Sequence, residues 1–86
     1  MLDPIEQHCA SIFRNVVGIA HPVPVHKWDD VRLVQSPLES VGVDSLTLLD
    51  FVMQVESAYD IELDEAAVNA CRTIREIAAL VAAAQR

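Results

Sequence analysis

The sequence predicts an all-α protein, and three observations lead to that class. Apolar residues recur every three or four positions in several segments, which is the spacing of an amphipathic helix. Good N-capping residues precede these segments. Only two glycines and four prolines occur, and three of the prolines lie between Pro22 and Pro37. We therefore expect a four-helix bundle, with three longer helices, a short third helix and a long loop between helices one and two.

The first helix is expected to begin after Asp3. Asp3 is a good N-cap, Pro4 suits the first helical position, and Glu6 completes the spacing of a capping box. Its apolar stripe contains Ile5, Cys9, Ile12, Phe13, Val16 and Val17. We expect this helix to end at Gly18.

The helical periodicity disappears from Ile19 to Val43. Prolines in this stretch push the residues before them toward extended conformations. A loop of this length is uncommon in a small domain unless it is pinned or functional. We expect a helical turn near Asp29 to Val34 and apolar anchors that rest on the helices. These anchors are Trp28, Val31, Leu33, Val34 and Leu38.

The second helix is expected to open at Asp44 and to run to about Tyr59. At roughly 100° per residue its apolar side chains fall into two groups. The group that spans a core-facing sector contains Leu48, Phe51, Val52, Val55 and Tyr59. The other group contains Leu46, Leu49 and Met53, with Asp50 and Ser57 beside them. Periodicity leaves open whether this second group is buried under the long loop or forms an exposed docking patch.

Two further helices are expected after this one. Asp64 caps a short third helix, whose body is about Glu65 to Asn69. The fourth begins at Thr73, and Glu76 completes a second capping box. Its inward stripe contains Ile74, Ile77, Ala78 and Val81.

Length and charge limit the possible functions. Eighty-six residues predict a single domain, 1–86, that is too small to enclose an active-site cleft. A net charge of −7 makes nucleic acid a poor partner and basic protein surfaces a better one. The sequence contains neither an apolar run that would span a bilayer nor the pattern of a signal peptide. We expect a monomeric, cytoplasmic protein without a membrane partner.

The cysteines and histidines do not indicate a metal site. Cys9 and Cys71 fit neither a disulfide framework nor a zinc spacing, so we expect reduced, at least partly buried thiols. His8, His21 and His26 also lack a ligand spacing. We expect them to be solvated side chains.

The segment from Gly42 to Leu46 is the most informative one for chemistry. Ser45 occupies the first helical position, beside backbone N–H groups and the positive end of the helix dipole. A phosphate attached to Ser45 would lie at a favourable anion site. Serine is also common at helix starts, so the position alone does not assign a function. A hydrolase nucleophile is disfavoured, because the segment is not G-x-S-x-G and no His and acid pair is evident.

Gly42 to Leu46 resembles the G-x-D-S-L signature of acyl and peptidyl carrier proteins. The resemblance extends without a gap from Ser36 to Val81 and is only architectural over the first 35 residues. It includes Leu46-x-x-Leu49-x-x-x-Met53, the turn from Tyr59 to Leu63, and the start of the last helix from Thr73 to Ile77.

The resemblance implies a carrier, not an enzyme. Ser45 would receive 4′-phosphopantetheine from a phosphopantetheinyl transferase, and Asp44 would help to place the transferase's metal. The recognition face for partners would contain Leu46, Leu49, Asp50 and Met53. The cargo would be an acyl or aminoacyl thioester, loaded by a ligase and passed to downstream transferases. The alternative is a helical interaction module that carries no cofactor.

This sequence also departs from the carrier pattern in its acidity. Ser40 and Thr47 stand where acidic residues are typical, and the acidic cluster near the end of the second helix is reduced to Glu56, followed by Ser57 and Ala58. A helix with so few acidic residues indicates a dedicated partner that recognises it by shape and apolar contact more than by charge. A specialised fatty-acid or polyketide route and an aminoacyl route both remain open.

Overall fold

The computed structural model describes residues 2–18 and 21–85, and within them the fold is all-α. The α-helices of this part of the chain are α1 (Pro4–Val17), α2 (Asp30–Gln35), α3 (Ser45–Tyr59), α4 (Glu65–Ala70) and α5 (Ile74–Ala84). Short 3₁₀ turns cover Val25–Lys27 and Leu38–Val41. These described residues form no β-strand, and none of their helices is long and apolar enough to cross a membrane. Ile19 and Ala20, where the expected loop begins, lie outside the described residues.

The predicted all-α bundle, with three longer helices and a long first connection, is confirmed. The main difference is α2, because a full helix stands where only a helical turn was expected, and the described part of the chain has five α-helices instead of four. Asp29 caps it by accepting a hydrogen bond from the Arg32 backbone N–H at 2.7 Å. The 25-residue stretch read as a loop is therefore partly helical.

The predicted N-capping residues lie at the N-termini of α1 and α5. In α1 both bonds of the capping box form, since Asp3 accepts from the Glu6 N–H at 2.7 Å and Glu6 accepts from the Asp3 N–H at 3.2 Å. In α5 the Thr73 hydroxyl accepts from the Glu76 N–H at 3.2 Å. The Glu76 carboxylate, however, accepts from the N–H of Arg72 at 2.6 Å, one residue before the expected partner.

One hydrophobic cluster lies between α1, α3 and α5 and is closed on its sides by α2 and α4. Its centre is the pair Phe13 and Phe51, both fully buried, whose rings meet edge to face with centroids 5.5 Å apart. Aliphatic side chains fill the rest. The fully buried ones include Val25, Leu33, Val34, Val41, Val55, Ile74, Ile77 and Val81.

The long connection is held against α1 by polar contacts. Arg14 of α1 pairs with Asp30 and also donates to the backbone carbonyl of Trp28 at 2.9 Å. The Arg32 guanidinium lies 4.0 Å from the centroid of the Trp28 ring, within cation–π range. These contacts pin the connection to α1, as expected for a connection of this length in a small domain.

Four of the five expected apolar anchors in this connection pack as predicted. Leu33, Val34 and Leu38 are buried, and Trp28 is half-buried against the core. The prediction for Val31 is wrong, because its side chain is 42% exposed. Val31 lies roughly 200° around α2 from Leu33, so burying one side chain turns the other toward solvent.

Both cysteines have the burial that the sequence predicted. Cys9 is fully buried in α1, and burial raises the pKa of its thiol to about 11. Cys71 is half-buried, and burial raises its pKa as well. Neither thiol is activated for chemistry at neutral pH.

Replacing Phe51 with Ala should lower the free energy of unfolding by about 3–5 kcal/mol, because it removes half of the aromatic pair and leaves a cavity. Urea unfolding monitored by circular dichroism measures this change. The matched control is Leu46→Ala on the same helix, where the side chain is 76% exposed and the change should stay within about 0.5 kcal/mol. Equal losses in the two variants would contradict this division of α3.

Candidate functional site: the start of α3

A tight turn delivers the chain to the start of α3. The 3₁₀ turn Leu38–Val41 ends at Gly42, which adopts a left-handed conformation with φ 75° and ψ 29° and donates its N–H to the Leu38 carbonyl. The Leu38 N–H in turn donates to the carbonyl of Arg72 at 2.7 Å, which ties this turn to the α4–α5 connection. The position of the site thus depends on distant parts of the chain.

Asp44 determines where the helix begins. Its side chain accepts a hydrogen bond from the Thr47 backbone N–H at 2.7 Å, and its carbonyl accepts from the Leu48 N–H at 2.9 Å. The Thr47 N–H is also the main reason why the pKa of the Asp44 carboxyl is lowered. Asp44 is therefore an exposed carboxylate that stays ionised at neutral pH.

Ser45 is the first residue of α3, and its side chain is exposed. The helix places this hydroxyl beside the N–H groups of its first turn, where an attached phosphate is favoured by the helix dipole. A modifying enzyme can approach the residue from solvent. These properties fit a serine that carries a phosphate-linked group.

An open groove of about 420 Å³ borders Ser45 and runs between α3 and α4. Its apolar lining comes from Leu48, Leu49, Val52, Leu63 and Val68, and its polar lining includes Glu56, Glu65 and Asn69. The groove is a surface feature, separate from the aromatic centre of the core.

The second apolar group of α3 is exposed. Leu46, Leu49 and Met53 are 76%, 56% and 58% exposed, and Asp50 beside them is exposed as well. The opposite face packs inward as predicted: Phe51, Val52 and Val55 are buried, and Leu48 and Tyr59 are half-buried against the core. The possibility that the long connection covers the second group is thus ruled out. We call Leu46, Leu49, Asp50 and Met53 the α3 outer face.

Glu56 has a structural role that the sequence did not indicate. Its carboxylate accepts a hydrogen bond from the Leu63 backbone N–H at 2.7 Å and so holds the connection from α3 to α4. Leu63 lies beyond Tyr59, where α3 ends, so the helical pattern of the sequence does not predict this bond.

The prediction that His21 is a solvated side chain is wrong. His21 is half-buried, and its Nε2 lies 2.6 Å from the carbonyl oxygen of Val41. His8 and His26 are exposed as expected, although His8 also bonds the Tyr59 hydroxyl at 2.8 Å. His21 and Val41 are 20 positions apart and meet only in the tertiary fold, so no sequence spacing predicts their contact.

Residues 25–81 match the family model for the phosphopantetheine attachment site, about two thirds of the chain. The chain belongs to this family. Carriers of this family are not enzymes, and they hold a covalently attached 4′-phosphopantetheine group on a serine. The match begins at Val25, eleven residues before the expected start of the resemblance at Ser36, so the part of the long connection from Val25 onward belongs to the family region as well. No solved structure matches the chain significantly.

The lowered pKa of Asp44 predicts a pH dependence of stability. A carboxyl whose folded pKa is below its ordinary value of 3.8 stabilises the fold above that pH, and this contribution is lost as the pH falls through the folded pKa. Asp44→Asn keeps a capping oxygen but not the charge, so the variant should be less stable than the wild type at pH 7. The difference should shrink below about pH 4. Urea unfolding midpoints at both pH values measure it, and a constant difference would contradict this role.

Proposed function

We propose that Ser45 is the attachment residue and that the chain carries acyl or aminoacyl groups as thioesters between partner enzymes of a specialised pathway. The observation that carries the proposal is the placement of Ser45, an exposed serine at the N-terminus of α3, directly after a capping carboxylate and within the family region. The carrier itself performs no bond-breaking chemistry on the cargo.

The other serines of the family region are less suited to attachment. The hydroxyl of Ser36 donates to the Arg32 carbonyl at 2.6 Å, and that of Ser40 donates to the Pro37 carbonyl at 2.7 Å. Ser57 is exposed, but it lies near the C-terminal end of α3, where the helix dipole disfavours a phosphate. Ser45 alone among these four combines exposure with a helix N-terminus.

Ser45 and Asp44 have different tasks in the attachment step. The Ser45 hydroxyl forms the new O–P bond as the phosphoanhydride bond of coenzyme A breaks, adenosine 3′,5′-bisphosphate leaves, and the hydroxyl proton passes to the transferase or to solvent. Asp44, ionised and exposed, is available to the metal of the transferase. Once attached, the group supplies a thiol that carries the cargo as a thioester.

We propose that the α3 outer face docks the transferase, the loading ligase and the downstream transferases. Three exposed large apolar side chains on one helix face are typical of a docking patch. Asp50 is the acidic residue within it, and the adjacent Thr47 is neutral. Apolar contact should therefore dominate the affinity for partners, with a smaller contribution from charge.

The packing of the core favours a small cargo. Phe13 and Phe51 fill the centre of the cluster, where a long acyl chain would need an internal cavity. The groove beside Ser45 gives partial shelter to a short acyl or aminoacyl group. This supports a specialised or aminoacyl carrier over a carrier of long fatty-acyl chains.

Incubation with coenzyme A and a broad-specificity phosphopantetheinyl transferase should add the mass of one phosphopantetheine group to the wild type. Ser45→Ala should gain no mass, and the matched control Ser57→Ala should gain the same mass as the wild type. Intact-protein mass spectrometry measures all three. A mass gain on Ser45→Ala would contradict the assignment of Ser45, and an unmodified wild type would favour a cofactor-free interaction module.

Substitutions on the α3 outer face should separate apolar from charged contributions to docking. Leu49→Ala and Met53→Ala should each reduce kcat/KM for transferase modification by about fivefold to 150-fold, the range expected for truncating a residue that contributes about 1–3 kcal/mol to an interface. Asp50→Lys should have a smaller effect. Asp50 is the better site for charge reversal, because changing Glu56 would also break its bond to Leu63. A large loss on Asp50→Lys with none on the two apolar variants would contradict the proposal.

A further inference from the structure

The turn before α3 is held from outside by His21. This residue follows α1 in the chain and is separated by 20 positions from Val41, whose carbonyl it contacts. A carbonyl oxygen only accepts, so the imidazole donates through its Nε2–H, at a distance of 2.6 Å. His21 is half-buried at this place, so the bond is partly shielded from competing water.

The same imidazole packs directly on Gly42. A Cβ built on Gly42 would lie 3.0 Å from His21 Nε2, 3.2 Å from His21 Cε1 and 3.3 Å from Val23 Cγ2. These distances are at or below close van der Waals contact, so the ring covers the space that a side chain would need. Gly42 is therefore required twice, once for its positive φ of 75° and once for this contact.

The contact acts on the residues that the proposed function uses. From Val41 the chain has only Gly42 and Val43 before it reaches Asp44 and Ser45. His21 bonds the carbonyl of Val41, and the Thr47 N–H bonds the carboxylate of Asp44. Only two residues separate Val41 from Asp44, so a shift of the Val41–Gly42 turn also shifts Asp44 and the adjacent Ser45.

We propose that His21 is a positioning residue for the modification of Ser45, an inference that rests on the proposed function. It does not touch the reacting atoms. It holds the Val41–Gly42 turn so that Asp44 and Ser45 reach the transferase already in place. Loss of such preorganisation slows the chemical step, because small displacements of a reacting group reduce the rate strongly.

The effect should fall on kcat and leave KM unchanged. The α3 outer face is not altered by a change at His21, so docking is retained. His21→Ala should lower kcat for modification of Ser45 by about tenfold. His21→Gln, whose amide N–H can replace Nε2–H as donor, should restore kcat to within about twofold of the wild type. Rescue by the donor separates positioning from simple space filling.

His26 provides a matched control. Its Nε2 bonds the carbonyl of Gly18 at 2.7 Å, a contact of the same chemistry in the same connection. His26→Ala should leave kcat unchanged. The assay uses the full chain, coenzyme A and the transferase, with rates expressed per folded molecule from circular dichroism. Amide hydrogen exchange at Gly42 and Val43 should be faster in His21→Ala and unchanged in His26→Ala.

The failure of this inference is distinguishable from the failure of the proposed function. A wild type that is not modified at Ser45 contradicts the proposed function, and with it this role for His21. A modified wild type with an unchanged kcat in His21→Ala contradicts only the role of His21. An equal loss of kcat in His21→Ala and His21→Gln, or a loss as large in His26→Ala, also overturns it.

Discussion

The hydrogen bond from the Thr47 N–H to the Asp44 carboxylate is the interaction on which the site depends. It sets the first residue of α3, and so places Ser45 where an attached phosphate is favoured. The rotational phase of the helix is set by the core, in which Phe51 is fully buried. With α3 beginning at Ser45, Phe51 points into the core and Leu49 points to solvent. The cap therefore sets where the helix and the proposed attachment site begin, and the core sets which face is exposed.

The inner and outer sides of α3 both carry apolar side chains, but only the inner side is buried. Apolar burial on the inner side contributes to stability, with Phe51 and Val55 fully enclosed. On the outer side, Leu46 and Met53 remain in water, which contributes little to the fold and is typical of a surface that another protein covers. The proposed partner contact of the outer face, in addition to the core contact of the inner face, accounts for the high apolar content of this helix.

The sequence predicted local features well and long-range contacts poorly. Capping by Asp3, Asp44 and Thr73 involves only backbone groups three positions away, so the sequence predicted where these helices begin. Periodicity alone did not predict the exposure of the α3 outer face, because two apolar faces on one helix have the same periodicity whether or not a loop covers one; the resemblance to carrier proteins did predict it. The contact of His21 depends on how the connection folds back over 20 residues, and no spacing encodes that.

The exposure of Leu46, Leu49 and Met53 has a consequence for how such a carrier diversifies. None of these side chains supports the core, the cap or the turn that presents Ser45. If the α3 outer face docks partner enzymes, as proposed, substitutions there change the affinity for those partners while the fold stays intact. A duplicated copy of this chain can thus be recruited to a new pathway by a few changes on one helix, with no redesign of the domain.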